Sequence, residues 1–382
     1  MIRRLALAAG TAAAMAAAAP ALAAPPDVVA TVRPLHSLAA AVMQGVGEPT
    51  LLLPPGASPH DYSLKPSDAR ALGEADVVFW IGQPLESFLS KSVDTLAEDA
   101  RVVALASAPD LTLLHTREGG VWEAHDHGHG HDDHGHDDHG HDDHGHDEHA
   151  HDDHGHDDHG HEDHAHDDHA HDDHGHDDQG HTHGHAEADA GAGLIPAMAA
   201  LDADAAELPG HTDSHIWLDP RNAAAMGRAM ASVLAEVDPA NAATYRANAD
   251  ALAADMEALE ADLRDRLAPV SDVPYIVFHD AYHYLEHRFG LSPVGSITVE
   301  PGRPIGARRL AELRDTVQDR NAACVFAEPQ FEPRLIATVT EDTDARTGVL
   351  DPLGSDLAPG ADLYAALLRD MADALVGCLS AE

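Results

Sequence analysis

The chain has 382 residues, with 22 Lys and Arg against 67 Asp and Glu, for a formal net charge of −45 at pH 7. A charge of that sign excludes a general nucleic-acid binder, which needs a basic footprint, and argues against docking on an anionic membrane surface. What remains is an acidic soluble protein whose partners are cations, with two or three domains at roughly 150 residues each.

The first two dozen residues form a separate object. Arg3 and Arg4 give a short positive region, Leu5 to Ala19 is apolar and Ala-rich, Pro20 breaks it, and Ala21-Leu22-Ala23 supplies a small-x-small cleavage pattern. This predicts a secretory signal peptide over 1–24, cleaved near Ala23 or Ala24, and a mature chain that is exported and soluble. The other reading is a buried N-terminal helix. No later apolar run approaches the roughly 18–20 residues needed to cross a bilayer, and no Cys follows the signal to carry a lipid.

Short β-branched runs come next, at Val28–Val32, Thr50–Leu53, Val77–Ile81 and Val102–Leu105, with helical stretches such as Ser37–Gln44 and Ser67–Glu74 between them. Runs this short without strict alternation suit strands buried on both faces. Alternating strand and helix predicts βαβ units on a parallel sheet. The pattern resumes with Ser214–Leu218, Tyr275–Phe278, Ala323–Ala327 and Gly348–Leu350. The predicted fold is α/β with two lobes, each a parallel sheet flanked by helices, over 25–238 and 269–382. One long rigid helix over 239–268 joins them. Its Leu252, Met256, Leu259, Leu263 and Leu267 form one apolar stripe, and its length, about 40 Å at 1.5 Å per residue, suits a strut better than a hinge.

Between 119 and 210 the composition changes. Residues 125–185 hold 25 of the 33 histidines and 21 of the 67 acids, with no Lys or Arg, and 131–180 repeats HDDHG or a close variant ten times. Without an apolar side chain larger than Ala, the repeat cannot offset its backbone entropy. A disordered His/Asp-rich insertion is therefore predicted, placed before the last strand of the first lobe. Neutral imidazoles offer lone pairs to transition metals, so His125, His127, His129, His131, His134, His136, His139, His141, His144 and His146 are read as auxiliary ligands of several weak zinc sites. Tethering them beside a tighter site would make capture and transfer intramolecular. A solvated spacer with no metal role is the other reading.

The cysteines are Cys324 and Cys378. In an exported chain the pair reads as one disulfide, with two buried free thiols as the alternative. The lack of C-x-x-C spacing speaks against a thiolate zinc site.

Outside the repeat the histidines are His36, His60, His115, His211, His215, His279, His283 and His287. His60 lies in the loop GASPHDYSLKPSD, His215 opens HIWLDP on a predicted short strand, and His279 ends the strand YIVF. Three imidazoles beside three strands, where α/β folds gather ligands, point to a metal site. Taken singly, each is more often a hydrogen-bonded structural residue. A rival lies in His283-Tyr284-Leu285-Glu286-His287, which matches the inverted zinc-peptidase signature H-x-x-E-H. There Glu286 would be the base, and Glu328 or Glu332 could only be guessed as a further ligand. The plainer reading is a polar helix face with Glu286 or His283 in solvent.

In order, GASPHDYSLKPSD, HIWLDP, VFHDAYHYLEHRFG, CVFAEPQF and LDPLG resemble the zinc-specific periplasmic solute-binding proteins of bacterial ABC transporters (cluster A-I, or cluster 9). The resemblance implies one Zn²⁺ held between the two lobes, no catalysis, and a monomer that serves an inner-membrane zinc permease with its cytoplasmic ATPase. It also permits a periplasmic zinc chaperone as a partner, and a His- and acid-rich insertion is a familiar trait of the family. Carried over by motif, the ligands are His60, His215 and His279, with Asp351 of LDPLG as the fourth and water or a repeat histidine as the alternative. Some zinc members have a Glu before the first His, where this chain has Pro59. Manganese and iron members usually have a carboxylate in the place of His279, and a third imidazole suits zinc. His283 stands where relatives often have a smaller residue, which raises a second metal contact there. Cys324 and Cys378 match a disulfide within the second lobe. The alternatives are a manganese- or iron-binding relative, a periplasmic zinc buffer and, remotely, a metallopeptidase at His283–His287.

Overall fold

The computed structural model describes residues 24–90, 92–117, 122, 194–195, 211–298, 305–331 and 334–380. The predicted signal peptide and the His/Asp-rich repeat lie outside the described residues.

The first lobe follows the predicted alternation: β1 (Val28–Ala30), α1 (Arg33–Val42), β2 (Thr50–Leu51), α2 (Pro66–Glu74), β3 (Val77–Trp80), α3 (Ser87–Ser90), α4 (Val93–Leu96) and β4 (Arg101–Ala104). The strands form a parallel sheet in the order β2-β1-β3-β4, with Val28–Ala30 in register with Val77–Phe79. Every residue of β1 and β3 is buried, as strands covered on both faces require. Pro34 and Pro66 sit in the first turns of α1 and α2, where a missing N–H costs nothing. The chain order reverses between β1 and β3. At their carboxyl ends the buried Glu86 accepts hydrogen bonds from Thr31 Oγ1 (2.5 Å), Ile81 N (3.2 Å) and Gly82 N (2.9 Å). Burial pushes its carboxyl up to about 7, against the pull of those donors.

Beyond β4 the structure departs from the expectation twice. A short strand β5 (Leu113–Leu114) pairs antiparallel with β6 (Leu194–Ile195), so residues 194–195, inside the stretch predicted to be disordered, belong to a strand pair. His115 bridges to Thr212 in the same sense. Ser214–Leu218 is not a strand: Ile216–Leu218 form one turn of 3₁₀-helix. Its carbonyls are taken locally and by side chains instead of a ladder. His215 O accepts from Leu218 N (3.1 Å), Ile216 O from Asn222 Nδ2 (3.1 Å) and Trp217 O from Tyr364 Oη (2.5 Å). Asp219 then caps the next helix through Arg221 N, with Pro220 in its first turn.

That helix, α5 (Pro220–Val237), packs along α6 (Ala242–Leu267). The two approach closely at Gly227, where a Cβ would come within 2.5 Å of Leu252 Cδ2. All five stripe residues predicted on α6 are buried, each worth about 1.5–3 kcal/mol relative to exposure. The helix has 26 residues, about 39 Å long. It begins at Ala242, not at the predicted 239, because Asp238 draws the chain into a turn by accepting from Asn241 Nδ2 (2.7 Å) and Tyr245 Oη (2.9 Å).

The second lobe comprises β7 (Tyr275–His279), α7 (His283–Phe289), β8 (Pro293–Thr298), α8 (Ala307–Asp319), β9 (Cys324–Ala327), α9 (Arg334–Thr340), β10 (Arg346–Val349) and α10 (Leu363–Leu379). Its parallel sheet runs β10-β9-β7-β8, with the reversal between β7 and β9. Strand β8 is new relative to the sequence reading. Pro293 and Gly295 interrupt its pattern, and both are tolerated because β8 is an edge strand. Cys324 and Cys378 form a disulfide that ties β9 to the last turn of α10, a loop closure worth about 2–4 kcal/mol.

Part of the contact between the lobes joins side chains of the first to carbonyls of the second. Arg33 donates to Gly354 O (2.9 Å) and Leu357 O, Ser37 Oγ to Ala361 O (2.9 Å), and Trp217 Nε1 to Pro352 O (2.9 Å). No helix among the described residues is long and apolar enough to cross a membrane.

Candidate metal centre

Three imidazoles converge where the lobes face each other. His279 ends β7 at the reversal point of the second sheet, and Glu328 follows β9 directly beside it. His215 enters its 3₁₀ turn, and His60 comes from the loop after β2. One nitrogen from each of His60, His215 and His279 lies within 4.8 Å of the other two. The ring centroids are 5.2–5.7 Å apart.

Two of the rings have a fixed orientation. His279 Nδ1 lies 2.6 Å from Glu328 Oε1, and His215 Nδ1 lies 2.8 Å from Asp213 Oδ1, which also accepts the His215 backbone N–H (2.9 Å). A carboxylate only accepts, so Nδ1 carries a proton in both rings and Nε2 is the nitrogen left for a metal. Those two Nε2 atoms face each other at 3.4 Å. Burial first, then the proximity of His215 and His279, holds the His60 imidazolium well below the ordinary 6.5, so this ring is neutral at pH 7. Burial alone would raise the Asp213 carboxyl, but His215 outweighs it and the net shift is downward.

Ser58, Pro59, Trp217, Gln330, Phe331, Pro352 and Leu353 complete the wall, and the cavity measures about 20 Å³. That is room for one water-sized body and excludes an organic solute. A larger groove of about 640 Å³ runs between α5 and α6, where Arg221 and Arg264 are both paired with Glu260.

Asp351 is not part of the converging group. Its Oδ1 accepts from Leu353 N and Gln330 Nε2, both at 3.0 Å, and its Oδ2 from Ser355 N at 2.5 Å. The H-x-x-E-H residues divide differently from either reading. His287 is exposed, while His283 and Glu286 are buried at 8% and 3% exposure, which corrects the expectation that one of the latter faces solvent. Burial disfavours the Glu286 carboxylate, and a counter-charge meets it there. It accepts from Tyr275 Oη (3.0 Å) and pairs with Arg117 Nη2 (2.8 Å). His283 Nδ1 lies 3.9 Å from Asp213 Oδ2, and burial holds its imidazolium below 6.5. His36, buried in α1, contacts Pro49 O through Nε2 (3.0 Å).

Asp213 and Glu328 were missed as orienting groups. For Asp213 the signal was available: an Asp two residues before His215 can accept both its backbone N–H and its ring N–H. For Glu328 the partner is 49 residues away, and only the β7–β9 pairing reveals it.

Two parallel-sheet α/β lobes that enclose an imidazole nest sized for one ion define a metal-binding receptor of the solute-binding class. The chain belongs to the ZnuA family, zinc-uptake complex component A, periplasmic, which it matches over residues 28–378. It is 44% identical over 353 residues to the high-affinity zinc uptake system protein ZnuA of Brucella suis biovar 1 (strain 1330), covering 92% of this chain and 91% of that one. It is 38% identical over 367 residues to the protein of the same name from Paracoccus denitrificans (strain Pd 1222), covering 96% and 95%. A crystal structure of ZnuA shares the fold at a TM-score of 0.62 and 21% identity, covering 93% of this chain and all of that one. The family is a solute-binding component of ABC-type zinc uptake and not an enzyme.

Proposed function

We propose that this protein captures Zn²⁺ on His60, His215 and His279 and, as a periplasmic monomer freed of residues 1–24, delivers it to an inner-membrane permease and its ATPase. The observation that carries the reading is the pair of Nε2 atoms held face to face at 3.4 Å by carboxylates behind them. Zinc at 2.0–2.1 Å from each of two tetrahedral ligands sets them about 3.3–3.4 Å apart, so the pair spans one edge of a zinc tetrahedron. Three neutral nitrogens favour zinc over manganese, which prefers oxygen. Asp351, the fourth ligand that its motif suggests, stands in reserve beside the site. The His-rich repeat would collect zinc and relay it to the cleft, and a periplasmic zinc chaperone is a compatible further partner.

The test is a chelator-competition zinc titration of the full chain beside one lacking 126–190, a deletion that spares Trp122 and β6. One tight site that survives the deletion supports the reading. Its disappearance would make the repeat the binder and the protein a metal buffer.

The orienting carboxylates give a graded expectation. Glu328→Gln keeps an acceptor for His279 but loses the charge, and Glu328→Ala loses both. Zinc affinity is expected to fall about 10-fold and about 100-fold respectively, the range for partners of ligating histidines, with thermal stability of the zinc-free protein recorded alongside.

Acid should weaken binding, because metal competes with protons for the imidazoles. Affinity is expected to fall below about pH 6. His60, already held well below 6.5 by burial and its two neighbours, yields to protons only at lower pH. Titrations at pH 7.5, 6.5 and 5.5 check this, and equal affinity at the two extremes would contradict imidazole ligation.

A further inference from the structure

Gln330 lines the cavity together with the three imidazoles, and its amide can be oriented in only one way. Its Nε2 lies 3.0 Å from Asp351 Oδ1 and 3.1 Å from Ser355 Oγ. An ionised carboxylate has no proton to give, so the amide nitrogen must face Asp351 and the amide oxygen must point elsewhere. That oxygen is buried without a hydrogen-bond partner. A buried amide oxygen left unsatisfied is unfavourable, so the contact to Asp351 is kept at the expense of the other end of the same group.

Asp351 receives three donors. Two are backbone N–H groups of its own turn, Leu353 and Ser355, and come with the fold of that turn. The third, from Gln330, is the one that a side-chain change can remove. Arg33, held on the Gly354 and Leu357 carbonyls, adds an attractive charge close by. Gln330 follows Glu328 in the turn after β9, so one short segment both aims His279 through Glu328 and occupies Asp351.

We propose that Gln330 is a specificity-determining residue of the metal site: its amide nitrogen, added to the two N–H groups of the turn, holds the Asp351 carboxylate in that turn and so keeps the ligand set at three imidazoles. The inference rests on the proposed His60–His215–His279 site. With the carboxylate withheld, the donors are neutral nitrogens that suit zinc. With it released, an anionic oxygen joins them and oxygen-preferring manganese gains most.

The experiment uses the full chain with Gln330→Leu, which keeps the bulk and removes the donor, in a chelator buffer strong enough to leave the repeat histidines empty. Manganese affinity is expected to rise about 10-fold or more while zinc affinity changes less than about 3-fold. One equivalent of Co²⁺ should shift from the intense visible bands of four-coordination toward the weaker bands of five-coordination. The double variant Gln330→Leu/Asp351→Asn should restore both parent readings, which a merely structural role of Gln330 would not produce. Asp351→Asn alone should leave zinc affinity within about 3-fold and the cobalt spectrum as in the parent, and this arm decides the matter if Gln330→Leu does not fold. An unchanged zinc-to-manganese ratio and cobalt spectrum in Gln330→Leu would overturn the inference. So would a loss of about 100-fold in zinc affinity with Asp351→Asn, since that would make Asp351 a ligand with Gln330 in place. If the parent has no tight zinc site that His215→Ala removes, the triad itself fails, and that outcome is read separately.

Discussion

Replacing His215 by alanine is expected to abolish tight zinc binding. A structural zinc site with four ligands is worth about 10–16 kcal/mol, so one imidazole accounts for about 2.5–4 kcal/mol, or roughly 70- to 900-fold in affinity. His215 is the ligand to test because its ring is aimed at the site by Asp213 from behind. Removing the ring also takes from the buried Asp213 its main partner and leaves it only the nearby His283 and Arg117, so stability is read beside affinity. The measurement is chelator competition on the chain lacking 126–190, with and without the substitution, and with unfolding of the zinc-free forms compared. The variant should bind only weakly while still unfolding in one cooperative step. A tight site that persists after the substitution would place the zinc elsewhere.

The second large effect is on stability. Arg117 stacks on Trp122, with Cζ 3.7 Å from the ring centroid, and pairs with both oxygens of Asp280 and with Glu286. Burial opposes its charge, yet Glu286 and Asp280 raise its pKa above the ordinary value. Arg117→Met leaves two buried carboxylates without a counter-charge, and breaking such a pair costs about 3–5 kcal/mol, or roughly 10 °C in Tm. Burial already pushes Glu286 up to about 7 against an ordinary 4.5, with Arg117 holding it down. Without Arg117 it rises further. The folded variant then binds a proton that the unfolded chain releases above about pH 4.5, so its stability declines as pH rises from 5 to 8. The deficit against the parent is therefore expected to be larger at pH 8 than at pH 5.5, and Glu286→Gln added to Arg117→Met should recover part of it. A deficit independent of pH would show that Glu286 is not the group left exposed to the missing charge.

Most of the architecture was legible because local pattern and tertiary demand agreed. Val77–Trp80 reads as a strand buried on both faces and is one, and the Leu252-to-Leu267 stripe packs as its spacing requires. The failures have local causes. HIWLDP looks extended, but Asn222 and Tyr364 satisfy its carbonyls from outside any sheet, and Tyr364 lies 147 residues away. Pro293 and Gly295 hid β8 because edge strands obey looser rules. Of the candidate site, the three imidazoles could be found from their motifs, since each is marked within a few residues. Partners that act across strands could not. Glu328 and Gln330 meet His279 and Asp351 only because β9 lies beside β7 and β10, and spacing along the chain gives no sign of it.

The contact between the lobes has a consequence for how such a chain can drift over generations. At Pro352, Gly354, Leu357 and Ala361 the second lobe contributes main-chain oxygens, which every amino acid possesses. Substitutions along 352–361 can therefore accumulate without touching the acceptors where the path of the chain allows them, which leaves out Gly354 and Gly360 at φ +66° and +140°. At these contacts the burden of identity falls on Arg33, Ser37 and Trp217, which supply the donors. A screen that randomises both sides should find the first lobe's three positions intolerant and the facing loop permissive outside those glycines and the cavity-lining Pro352 and Leu353, an asymmetry that lets one surface diversify while the geometry of the cleft is inherited unchanged.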